Sequence, residues 1–333
     1  KAYNQDNIAN SGFSVPYAVL GFTGKAFDKV SFNLSINAAK SGGQLLQQAW
    51  FDVKFKEAAQ LRVGKFKTPF SHAYLTTLGE TLFPQLPTSL TTAVIMPYTL
   101  NAVTPNIGTG FDLGVELHGL VKDKFGYEIG LFNGTGAAVN TASKTMSDDW
   151  HIPSLLYAGR FTYMPYGVMP STQGNPNRLD EKKMLIGVSG SINVESENES
   201  TNDTRVGFEW ALLYHKWYFA AEAYWMNVGF TKRQKINEHY NYVGGYVQGG
   251  YFVAPRVQLA ARYDLMNRNS TSKDGLLNMP AVGVNYFFKG CNLKLQAMYQ
   301  YTGRTGHTNQ LDRDNDNLGL ATHSATVQLQ YAF

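Results

Sequence analysis

Residues 324–333 read SATVQLQYAF. From Thr326 onward polar and apolar residues change places at every step, with Thr326, Gln328 and Gln330 set against Val327, Leu329 and Tyr331 before the chain stops on Phe333. A two-residue period sends alternate side chains to opposite faces of a strand. A strand with one apolar and one polar face suits the wall of a barrel that meets an apolar medium on one side and water on the other.

Composition agrees with that expectation. Only 16% of the 333 residues are Asp, Glu, Lys or Arg, where soluble domains carry about a quarter. Aromatics reach 14%, and mean hydropathy is −0.26. No apolar run attains the ~18 residues of a membrane helix. A barrel reconciles these features, because its strands need only every second residue to be apolar. The net charge of +4 is diffuse, with no basic run interleaved with aromatics, so nucleic-acid binding is not expected. The one cysteine, Cys291, excludes an intramolecular disulfide and a cysteine-based zinc site.

Alternating segments recur along the chain at 16–24, 30–38, 44–55, 60–66, 110–120, 125–133, 155–164, 183–194, 204–215, 217–228, 240–253, 256–266, 280–288, 292–302 and 320–333. Their lengths match the ~9–11 residues with which a tilted strand crosses the hydrocarbon. The joins alternate between tight (KAFDK, KEAA, VKDK, His215-Lys216, Ala254-Pro255, KGC) and long (67–109, 134–152, 195–203, 229–239, 267–278, 303–319). Short periplasmic turns and longer external loops give this asymmetry. One stretch, 165–181 (PYGVMPSTQGNPNRLDE), is long on the short-turn side. A soluble sandwich or propeller would have to bury the apolar face of every strand without blade repeats, and it gives Phe333 no role.

Single-chain barrels of this kind carry an even number of strands. No leader-like run follows Lys1, and strand 16–24 should run downward into its turn. A further strand is therefore expected upstream, for about sixteen in a single barrel over residues 1–333.

Residues 60–70 read QLRVGKFKTPF, the chain continues SHAYLTTLGETLFPQLPTSL, and 110–120 read GFDLGVELHGL. On these residues the sequence resembles the phosphate-selective porin family. That family has a strand ending in V-G-(K/Q)-F-K-x-P-F, a long inward-folding loop with Leu-Pro-x-x-Leu, and a following strand ending in Leu-His-Gly. The matching positions are Val63, Gly64, Lys65, Phe66, Lys67, Pro69 and Phe70, then Leu86, Pro87 and Leu90, then Leu117, His118 and Gly119. Residues 159–165 (GRFTYMP) match more loosely. The resemblance implies a homotrimer of barrels in the bacterial outer membrane, in contact with its lipid. Each barrel would pass small solutes or inorganic anions through a pore narrowed by the third external loop. Residues 67–109 suit that loop, since their clusters LFPQLP and AVIMPYTL would be buried by folding into the lumen. Thr77 and Glu80 have capping-box spacing, which allows a short helix there.

Alternation assigns the faces. In 110–120, Phe111, Leu113, Val115 and Leu117 should meet lipid and Asp112, Glu116 and His118 the lumen. In 256–266, Val257, Leu259, Ala261 and Tyr263 should meet lipid and Arg256, Arg262 and Asp264 the lumen. Asp52, Lys54, Arg62, Glu128, Arg160, Arg205, Glu209, Glu222 and Lys294 should also point inward, as solvated wall charges of both signs. Lys54, Arg62, Lys67, Glu80, Asp112, Glu116, Arg160 and Arg262 are the candidate pore-lining or solute-binding residues. Lys65 has lipid-side parity and is expected to snorkel. Anion recognition wants rows of Arg or Lys, yet none lies between Lys67 and Lys122. The expected constriction is narrow, nearly neutral and weakly selective.

Other chemistry finds little support. DRDNDN at 312–317 starts like a calcium loop but has Asn317 and His323 where that loop needs Gly and Glu. No P-loop, G-x-S-x-G or H-E-x-x-H occurs, so no cofactor, metal or catalytic residue is expected. Ser71-His72, the one adjacent Ser–His pair, would point to opposite faces of a strand. Three functional readings stay open: a diffusion porin, a structural or assembly-subunit barrel plugged by loop 67–109, and a specific channel for phosphate or another oxyanion.

Overall fold

The computed structural model describes residues 11–41, 45–95, 111–134, 155–176, 180–194, 202–229, 239–267, 270, 276–305 and 322–333. They form β1 (Val19–Phe27), β2 (Val30–Asn37), β3 (Leu46–Lys56), β4 (Ala59–Lys67), α1 (His72–Leu75), a 3-10 turn (Leu78–Glu80), α2 (Thr88–Ile95), β5 (Phe111–Val121) and β6 (Phe125–Phe132). There follow β7 (Leu156–Tyr163), β8 (Lys183–Asn193), β9 (Asn202–Tyr214), β10 (Trp217–Gly229), β11 (His239–Ala254), β12 (Val257–Asn267), β13 (Leu276–Lys289), β14 (Leu293–Thr305) and β15 (Thr322–Tyr331).

The strands make one antiparallel sheet in sequence order, each pairing with its chain neighbours, and β1 and β15 are its edges. Among the described residues fifteen strands are seen; the expectation of a further strand upstream of Lys1 falls outside them. Each alternating segment became a strand. β13, expected from 280, begins four residues earlier at Leu276, and β1, expected at 16–24, is displaced as a whole by three residues to Val19–Phe27. The KAFDK join thereby shrinks to Asp28-Lys29, because Phe27 pairs with Val30.

The pleat separates two environments. On β5, Leu113, Val115 and Leu117 are 50%, 43% and 43% exposed while Asp112 and Glu116 are 2% exposed. Outward Leu259 and Tyr263 alternate with buried Arg262 and Asp264 on β12 in the same way. Three face assignments fail, one at a strand start, one in a turn and one in the last three residues of a strand. Phe111 is buried, its ring 5.8 Å from the Lys67 ammonium. Arg256 is exposed in the turn between β11 and β12. Lys65 is buried and donates to the Leu46 carbonyl at 2.7 Å, so it stays on the protein instead of snorkelling.

The interior is not the polar wall that alternation suggests. From β8 to β14 the inner face carries Leu185, Ala211, Leu213, Tyr218, Tyr224, Met226, Tyr242, Tyr246, Met266, Met279 and Met298, all buried in one cluster with Phe70, Ala73, Tyr74, Leu82, Phe83, Leu90 and Ala93. The inserted segment therefore folds in for an ordinary reason: it covers apolar surface that water would otherwise contact. Two glycines admit it. A Cβ on Gly207 would come within 2.9 Å of the Phe70 ring, and one on Gly283 within 3.0 Å of Phe83.

Candidate constriction site

After β4 the chain turns into the lumen. Ser71 takes a left-handed φ of 65° and caps α1, its Oγ accepting the Tyr74 N–H at 3.1 Å. Ser71 and His72 are thus on a helix start, not on a strand. The Glu222 carboxylate on β10 holds this start, accepting the Ala73 N–H and the Tyr224 and Tyr246 hydroxyls at 2.8 Å each. The expected Thr77–Glu80 capping box does not form; residues 78–80 are a 3-10 turn without a side-chain cap.

The next residues lie along β13 to β15. Lys294 donates to the Thr81 carbonyl at 3.0 Å, Asn285 to the Leu82 carbonyl at 2.9 Å and Gln330 to the Gly79 carbonyl at 2.9 Å. Further on, Arg262 donates to the Gln85 carbonyl at 2.8 Å. Asp264 Oδ2 accepts the N–H groups of Thr88 and Ser89 at 2.6 and 3.3 Å. A carboxylate at a helix N-terminus satisfies donors that the helix leaves unpaired and suits the positive end of its dipole. Tyr242 donates to Ser89 O at 2.7 Å and Arg205 to Ala93 O at 2.9 Å. Residues 68–93 are therefore tied by backbone groups to strands from β9 to β15.

A second arrangement runs around the opposite wall. Asp52, Arg62 and Glu116 are direct cross-strand neighbours on β3, β4 and β5. Arg62 bonds Asp52 at 2.9 Å and Glu116 at 3.3 Å, with its guanidinium 4.8 Å from the Trp50 ring centre. His118 Nε2 lies 2.8 Å from Asp52. Arg160 forks onto Glu209 at 2.7 and 3.1 Å and bonds Glu128 at 2.8 Å. Bidentate pairs of this type are the strong ones.

The sequence candidates are spread over several roles. Arg62 and Glu116 meet in the cross-strand group with Asp52 and His118, and Arg160 bonds Glu128 beside it. Lys67 is turned to the inserted loop, donating to Tyr74 O at 2.5 Å and Thr76 O at 3.1 Å. Glu80 accepts from Ser171 Oγ at 2.8 Å, and Arg262 grips the loop as described. Asp112 accepts the N–H groups of Gly134 and Leu113 at 2.6 and 2.8 Å. Lys54 is half exposed near the turn and pairs with Glu57, away from the constriction. The expectation of solvated wall charges is overturned for Glu209, Glu222, Arg262, Asp264 and Lys294, which are buried and bonded. Their inward parity was readable; their partners were not, because the loop groups held by Glu222, Arg262, Asp264 and Lys294 lie 149 to 213 residues away, and Arg160 lies 49 residues from Glu209. The calcium-like residues 312–317 and the loop end 96–109 lie outside the described residues. Among the described residues no group of acidic, His or Cys side chains could hold a metal.

A loop that leaves the sheet after β4 and is pinned inside it is the geometry of a porin constriction, and a family model matches the chain over residues 1–333. The chain belongs to the phosphate-selective porin O and P family. The porin is an outer-membrane β-barrel of bacteria that allows passive diffusion, and its family and fold are those of a channel. Comparison with curated proteins finds no match. Among solved structures, the porin is similar to an anion-selective porin from Comamonas acidovorans, 9% identical with a TM-score of 0.54 over 88% of this chain and 80% of that one. It is also similar to the outer membrane channel DcaP of Acinetobacter baumannii, 12% identical with a TM-score of 0.52 over 95% and 84%. A loop-L8 deletion mutant of OmpT from Vibrio cholerae is 12% identical, with a TM-score of 0.50 over 86% and 85%. At these identities the likeness is one of fold alone.

Proposed function

We propose that this porin is a weakly selective diffusion pore for small hydrophilic solutes and ions, with no binding row for phosphate. The observation that carries this reading is the engagement of the inward cations. Lys67, Arg205, Arg262 and Lys294 donate to loop carbonyls, while Arg62 and Arg160 are matched by Asp52, Glu116, Glu128 and Glu209. Anion selection requires cations that replace the ion's water, and these already have partners. The aqueous path runs between the anchored loop and the wall of β1 to β6, where Ser31 and Asn33 face inward and the side chains of Arg62 and Glu128 are 25% and 27% exposed. Lys54, Asp112 and Glu80 belong to the turn, the strand end and the loop of that path.

Family membership supports a homotrimer in contact with outer-membrane lipid, and a non-enzymatic role. Liposome swelling tests the diffusion reading. The purified porin should pass neutral pentoses and hexoses at rates that fall with solute size. Absence of swelling with every sugar would favour a plugged barrel that serves a larger envelope assembly.

A further inference from the structure

The turn between β7 and β8 is the long one at the end of the sheet where the others span Asp28-Lys29, Glu57-Ala58, 122–124, His215-Lys216, Pro255-Arg256 and 290–292, the end that short turns assign to the periplasm. Register shows that a hairpin does not need this length. Leu156 pairs with Asn193 and Tyr163 with Ile186, so continued pairing would bring residue 166 opposite residue 183. Residues 164–176 instead run up inside the sheet. Met164 and Met169 are buried in the interior cluster with Leu185 and Leu213. Gln173 and Asn175 are 4% and 1% exposed.

Inside the barrel this segment reaches the constriction loop. Gln173 donates its N–H to the Glu80 carbonyl at 2.8 Å. Its Oε1 accepts the Leu82 N–H at 3.3 Å and Gln248 Nε2 at 3.1 Å. Ser171 Oγ donates to the Glu80 carboxylate at 2.8 Å. Asn175 fastens the far side, donating to the His215 carbonyl at 2.6 Å. Gly174 allows the close pass: a Cβ there would come 3.1 Å from Gln258 Nε2.

We propose that residues 164–176 form a strap that enters the lumen from the periplasmic mouth and positions Glu80, so that two inserted segments together set the narrowest part of the pore. This rests on the diffusion reading above. Glu80 is the one carboxylate between Lys67 and Asp112, and the strap holds both its side chain and its backbone. Ser171 and Gln173 are positioning residues; Glu80 meets the solute. A buried donor or acceptor left without its partner is costly, so loss of the Gln173 side chain loosens Leu82 and Gln248 together.

The test uses the full-length porin in detergent and in planar bilayers. In the Ser171→Ala/Gln173→Ala double variant, amide exchange at residues 79–83 should quicken by about tenfold or more, with larger open-channel current fluctuations. A second variant, in which Asn-Gly replaces 167–182 as a two-residue hairpin turn, should raise conductance. In that variant Glu80→Gln should shift ion preference less than it does in the wild type. Unchanged exchange at 79–83 in both variants overturns the strap. Faster exchange with unchanged current keeps the strap but removes the pore from this side of the loop, which separates failure of this inference from failure of the diffusion reading. If the shortened variant does not fold, the double variant decides alone by its exchange at 79–83.

Discussion

Asp264, on β12, accepts the backbone N–H of Thr88 at 2.6 Å across 176 residues of chain. The same oxygen takes the N–H of Ser89 at 3.3 Å, so one carboxylate caps the start of α2. Asp264→Ala should weaken this anchorage by about 1–3 kcal/mol, with faster amide exchange over 88–95 and unchanged protection in β12. Asp264→Asn, which keeps an acceptor, should lose less. Equal effects from both variants would show that the charge, not the acceptor, matters.

Arg160 is buried between Glu209 and Glu128. Removing one partner of a buried pair leaves uncompensated charge. Arg160→Met should therefore destabilise the porin by about 3–5 kcal/mol, read as a lower denaturant midpoint in detergent. Arg160→Lys should recover only part, because an ammonium cannot fork onto Glu209.

Lys67 faces the loop carbonyls of Tyr74 and Thr76 and stacks 5.1 Å over the Tyr74 ring. Lys67→Met should alter conductance through loop position while the reversal potential in a salt gradient stays at the wild-type value. A shift toward cation preference would place the Lys67 charge in the ion path.

His72 lies in the loop, buried, with Glu209 and Arg160 as its charged neighbours; burial lowers its pKa from 6.5 to about 4. The unfolded chain then binds a proton that the folded one refuses, so stability falls as pH drops from 6.5 toward about 4. The slope should reach at most about 1.4 kcal/mol per pH unit. His72→Gln should flatten the part of the pH profile that His72 supplies. An equally steep profile in His72→Gln would assign it to other groups.

Much of the fold was legible because lipid imposes a two-residue period. Leu113, Val115 and Leu117 must face hydrocarbon, and that requirement fixes Asp112 and Glu116 on the other side without knowledge of the rest. The failures lie where lipid stops dictating. Phe111 is the first residue of β5, and Arg256 stands in a turn. The inner face was hardest to read, because inward Tyr224, Tyr246 and Met266 look like ordinary strand residues until a loop covers them. Glu222, Asp264 and Lys294 could be assigned to the lumen by parity, but parity cannot say that their partners are Ala73, Thr88 and Thr81. The long turn at 165–181 was visible as an irregularity. Its destination depends on the Gln173 N–H bond to the Glu80 carbonyl and on the Leu82 N–H, 91 residues earlier, that Gln173 Oε1 accepts.

Single-channel current in a planar bilayer under a potassium chloride gradient, followed by added phosphate, tests the central claim most directly. With the inward cations held by loop carbonyls and carboxylates, the current should be open, weakly selective and indifferent to phosphate. Strong chloride preference with saturable block by low phosphate would contradict it, because that result requires lumen cations available to the ion.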